Sequence, residues 1–159
     1  MAAIKVGNTT IEPSSQARNL GVIMDSSLRM TNHVNSMCKA ALHAIRMIGN
    51  IRQYLDQKTT TMLIHAFVTS RLDACNSLLF GLPDSVIAKI QRVQNIAARL
   101  ILPVPRHVHI TPVLYQLRWL PMKQKVTFQI IPLTNKAINI NSMAPDFISE
   151  LVQQYICPS

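Results

Sequence analysis

From about residue 30 the apolar positions of this chain recur with a helical period. Val34, Met37, Cys38, Ala41, Ile45 and Ile48 follow one another at i, i+3, i+4, i+7, i+11 and i+14. The spacing predicts a long amphipathic helix opened by Thr31 or Asn32 as cap. A second helix is expected after Asp56, whose carboxylate can cap Lys58 and Thr59, running towards Leu79 and stopped by Gly81 and Pro83. At about 100° per residue its polar members Thr61, His65, Thr69, Asp73 and Asn76 form a narrow stripe, and apolar side chains cover most of the rest. That helix should be among the most buried, with Cys38 and Cys75 as small core residues and Arg71 an anomaly on the apolar side.

Further along, Val86, Ile90, Val93, Ala97 and Leu100 mark a third helix capped by Asp84 or Ser85. Pro103 and Pro105 make the next stretch an extended linker. Thr111 before Pro112 reads as a helix start, with Val113, Leu114 and Leu117 turned inward. A longer helix opens at Pro121 and should kink or end at Pro132; a last one starts near Pro145 and Asp146, burying Phe147, Ile148, Leu151 and Val152. Residues 2 to 25 differ: "AIKVGNTTIEP" suggests a hairpin around Gly7-Asn8, and "RNLGVIMD" a following strand. The expectation is a mainly α fold, a helical bundle with a short N-terminal β-hairpin and strand. It divides into 1–28, a helical bundle over 29–102, a Pro-rich linker over 103–110 and a C-terminal helical region over 111–159.

Composition adds a partner. Sixteen Lys and Arg against seven Asp and Glu give a net charge of +9, which points to an acidic partner and first of all to nucleic acid. The charge is organised on helix faces: Lys39, His43 and Arg46 share one, and Lys89, Arg92 and Arg99 fall within about 80° of one another on another. Either face alone could equally be an ordinary solvated surface; the overall charge tilts both towards phosphate contacts. With aromatic residues at only 5%, stacking platforms for single strands are nearly lacking, so contacts should follow the backbone. No stretch approaches a membrane span, no secretory signal is evident, and three distant cysteines, Cys38, Cys75 and Cys157, suggest reduced thiols inside the cell. Nucleus and cytoplasm are not distinguished.

Catalytic chemistry finds no foothold. The acids are scattered with no two adjacent, so local spacing builds no two-metal site. His107 and His109 alternate in "RHVHI" without a third ligand in view, and Cys75 and His65 sit on different helix faces. Four glycines make no phosphate loop.

Several blocks taken in order, "RNLGVIMDSSL", "HAFVTSRLDACNSLLFGLP", "IQRVQNIAARLI", "HITPVLYQLRWLPMKQKVTFQI" and "SMAPDFISEL", resemble the C-terminal part of reverse transcriptases from non-LTR, LINE-like retrotransposons. The resemblance covers almost the whole chain. It implies an RNA-directed DNA polymerase whose Mg²⁺-binding palm aspartates lie upstream of "RNLGVIMD", outside this sequence, so that the chain by itself is no enzyme and needs no cofactor. Residues 1–28 would then be a palm edge, and the helices after Thr31 a thumb holding the RNA or DNA template–primer duplex and joined to the missing palm and fingers. Ala74, Pro103, Pro105 and Pro132 depart from the pattern of similar sequences. The alternative function is a relic or domesticated helical protein-interaction module, and no membrane role is expected.

Overall fold

The computed structural model describes residues 4–7, 9–11, 14–105 and 107–138. The helix expected near Pro145 and the thiol of Cys157 lie outside the described residues. The described chain is mainly helical behind small antiparallel hairpins. Strands β1 (Ile4–Val6) and β2 (Thr9–Ile11) pair antiparallel, with Val6 opposite Thr9, as the expected hairpin requires. The segment expected as one further strand is instead a second hairpin, β3 (Gln16–Asn19) and β4 (Val22–Asp25). Its reversal sits at Leu20-Gly21, both with positive φ (47° and 86°), the backbone that a two-residue hairpin loop demands. Two apolar residues flanking one glycine had hidden the turn.

Helix α1 (Thr31–Ile51) buries the whole predicted stripe, Val34, Met37, Cys38, Ala41, Ile45 and Ile48. Its start differs from expectation, for neither Thr31 nor Asn32 caps it. Met30 stands at the cap with φ 56°, and the Asp25 carboxylate organises the approach by accepting from the Ser27 and Arg29 amides, both at 3.0 Å. A 3₁₀ turn, Arg52–Tyr54, reverses the chain into α2 (Gln57–Ile64), where Asp56 accepts from the Thr59 amide at 3.0 Å as the sequence suggested.

The helix expected to run on to Leu79 does not stay regular. It widens into π geometry over His65–Thr69, regains one α turn as α3 (Ser70–Asp73), and stops at Ala74 and Cys75, the latter left-handed at φ 57°. Ile64, Val68 and Leu72 stay in the core, while Cys75, expected there, is exposed and Phe67 is 49% exposed. A π turn holds one residue more than an α turn, which rotates everything after it against a 100° wheel.

Helix α4 (Asp84–Ile101) runs parallel to α1, since Lys89 near its start meets Asn35 near the start of α1, and Arg52 beyond α1 donates to the carbonyls of Leu100 and Ile101. Asp84 is its first residue rather than its side-chain cap; its carboxylate lies 3.0 Å from the Lys123 ammonium. The linker expected to be extended folds into a compact loop closed by the Val108 amide on the Pro105 carbonyl. Helix α5 (Ile110–Gln116) is capped by His109, whose Nδ1 accepts from the Thr111 amide at 3.3 Å, and not by Thr111. It ends in a Schellman arrangement, with Trp119 N–H on Leu114 C=O, Arg118 N–H on Tyr115 C=O and Arg118 left-handed at φ 56°.

This turn delivers Trp119 edge-on to His65, ring centres 5.6 Å apart. Helix α6 (Met122–Ile138) then runs on past Pro132, so of the kink or end expected there the end does not occur. Gln91 and Gln94 of α4 hold its entry, accepting from the Met122 amide and donating to the Leu120 carbonyl, and Lys125 lies 2.6 Å from the Asp73 carboxylate. One apolar cluster, with Ile64, Val68, Ile90, Ile101, Met122 and Val126, joins α1, α2, the π turn, α4 and α6.

Candidate nucleic-acid interface

The α1 hairpin decides where charge can gather. Apolar residues on one side of α1 are drawn into the core, which forces Lys39, His43 and Arg46 outward; they fall within about 60° of one another and all are exposed. The chain then returns along α1 through α2, the π turn and α3. Between these strips lies an open groove of about 770 Å³. Lys39, His43 and Arg46 line it from α1 and Arg71 lines it from α3, while its floor is apolar.

Arg71 is thus no buried anomaly: it is exposed, and the π turn has carried it towards the basic face of α1. Sequence reasoning singled it out but could not place it. The only signal in the sequence was an arginine that failed to fit an α-helical wheel.

The α4 face divides. Lys89 donates to Asn35 Oδ1 of α1 at 3.1 Å. Because Asn35 stands one turn before Lys39, this contact brings the Lys89 ammonium alongside the α1 cations. Arg92 is exposed, and no hydrogen bond or ion pair engages it among the described residues. Arg99 serves the protein itself: its two terminal nitrogens donate to the Pro105 and Val108 carbonyls at 2.7 and 2.8 Å, clamping the loop that leads to α5. Four cations, Lys39, Arg46, Arg71 and Lys89, with His43, therefore lie on and beside α1, Arg92 stands exposed on α4, and Arg99 is set apart by its duty as a clamp.

No acidic residue lines the groove, and none of Lys39, His43, Arg46 and Arg71 is engaged by a hydrogen bond or ion pair among the described residues. Asp73 and Asp84 are taken up by Lys125 and Lys123. Such a surface can bind anions without first breaking internal pairs. Among the described residues no group of three or more His, Cys, Asp or Glu stands close enough to hold a metal ion, and no helix is long and apolar enough to cross a membrane. The Cys38 thiol is pushed up by burial, against which the nearby Lys89 charge acts only partly.

Comparison of the chain with protein-family models, with curated proteins and with solved structures finds no match in any of the three.

Proposed function

We propose that the chain is a thumb-like portion of a LINE-like reverse transcriptase that grips a nucleic-acid duplex by its sugar–phosphate backbone, without polymerase activity of its own. The observation that carries this reading is the set of exposed basic residues Lys39, His43, Arg46 and Arg71 around a groove that no carboxylate lines, with Lys89 bonded to Asn35 of α1 nearby. The ordered resemblance of the sequence blocks points the same way. Contacts of this kind fix position along a duplex without reading bases, because lysine and arginine meet phosphate oxygens that every sequence presents. Lys89 and Arg92 extend the footprint across α4, and Arg99 supports it from beneath by holding the α4–α5 loop. On this reading RNA, DNA and hybrid duplexes are the partners together with the palm and fingers of the polymerase, the location is intracellular, and the Mg²⁺ of the parent family belongs to aspartates outside this sequence.

Binding of a 20-base-pair duplex measured against salt tests the proposal. A straight log–log plot is expected with a slope of roughly −4, about −0.9 per phosphate neutralised. A slope near zero, or no binding at low salt, overturns it.

A further inference from the structure

We propose that the groove beside α1 is also a protein-docking site whose occupant is an acidic amphipathic helix of a partner chain. The inference is independent of the duplex reading. Its first ground is the floor. Ala40 and Ala44, one turn apart on α1, leave a shallow channel, and Met47, Ile51 and Phe67 stand around it 56%, 45% and 49% exposed. Large apolar side chains gathered in one groove mark a surface that lowers its free energy by being covered. Phosphate and sugar cannot cover aliphatic carbon to advantage; an apolar helix face can.

The second ground is length. The lining residues run along α1 from Ser36 to Ile51, about 22 Å at 1.5 Å per residue, which matches a helix of about four turns. Small residues at the middle of the channel let that helix approach at the spacing of ordinary helix packing. The third ground is charge. Lys39 and Arg46 stand on one wall and Arg71 on the other, with no acid among the lining residues, so an entering helix meets positive charge on both flanks. A helix with lysine flanks would be repelled from both walls; one with glutamate flanks would be paired on both. The occupant's chemistry follows: leucine-like anchors at i, i+3 or i+4, and i+7, with carboxylates on either side.

The test uses the full chain and a labelled 18-residue peptide carrying that pattern with glutamate flanks, alongside the same peptide with lysine flanks. The glutamate peptide is expected to bind and gain helicity, and Phe67→Glu to weaken it by about tenfold or more, as loss of a central anchor does. Met47→Glu should act in the same direction, which keeps the result readable if one variant folds poorly by circular dichroism. Arg71→Glu should weaken it and flatten its salt dependence. Arg92→Glu should leave peptide binding unchanged while lowering duplex affinity, so that failure of the duplex reading and failure of this one are separately visible. Equal binding of the lysine peptide, or indifference of the glutamate peptide to both Phe67→Glu and Met47→Glu, overturns the proposal. So does concentration-dependent dimerisation of the chain abolished by Phe67→Glu, which would make a second copy the occupant.

Discussion

The basic faces of α1 and α4 look alike in sequence and differ in what their charges are free to do. On α1, Lys39, His43 and Arg46 are exposed and border an open groove. On α4, Lys89 is committed to Asn35 and Arg99 to two loop carbonyls, which leaves Arg92 as the member without a partner among the described residues. Helical spacing says which charges share a direction. Which of them remain available depends on what the rest of the chain brings within reach of each head group. A long arginine beside a proline-containing loop becomes a clamp, because its two terminal nitrogens reach the Val108 carbonyl and the Pro105 carbonyl, the latter shared with the Val108 amide.

The comparison can be broken most forcefully by reversing the free side. Lys39→Glu, Arg46→Glu and Arg71→Glu together should lower duplex affinity by about a hundredfold or more at low salt and reduce the salt slope by about 2 to 3. The melting temperature should scarcely change, since surface substitutions of this kind lie within about 0.5 kcal/mol each. The opposite pattern is expected of Arg99→Ala. Losing two hydrogen bonds from a charged donor to loop carbonyls, one exposed and one half-buried, should cost about 1–3 kcal/mol in denaturant unfolding, with a smaller effect on duplex affinity. If Arg99→Ala impaired binding more than folding, the division between the two faces would be wrong.

Arg92→Glu alone sharpens the boundary, with a fall of several-fold in duplex affinity and a slope change near 1. A subtler contrast concerns the entry to α1, where His33 Nδ1 accepts from the Ile23 amide at 3.4 Å. Burial, aided by the Arg18 charge, lowers the His33 pKa from its ordinary 6.5, so the folded state prefers the neutral ring. The unfolded chain then binds the proton more readily than the folded one. Stability contributed here is fully present above pH 6.5 and declines as pH falls through 6.5 towards the lower folded value. Thermal melts between pH 7.5 and 5.5 should show a small downward drift that His33→Gln abolishes.

Legibility from sequence followed regularity. Six apolar residues of α1 were readable because one uninterrupted α period ran through them, and the Asp56 cap because its chemistry is local. The Leu20-Gly21 reversal was missed because nothing polar marks it, and the end of the second helix because a π turn leaves no compositional trace. At Pro132 the helix runs on, so of the two outcomes a mid-helix proline allows, a kink or an end, the end does not occur. For the interface, periodicity found the two faces but not the groove, since a groove requires two segments and their separation.

The sequence by itself determined the helical class, the stripe that buries α1, the excess of positive charge and the faces on which that charge rides. These follow from periodicity and composition, which are local or additive. Only the tertiary structure decided that Arg71 joins the cations of α1, that Arg99 leaves those of α4, and that Phe67 stands at the edge of a groove instead of in the core. Each of those outcomes turns on a rotation within the helix or a contact beyond its end, and a wheel drawn on one regular helix contains neither.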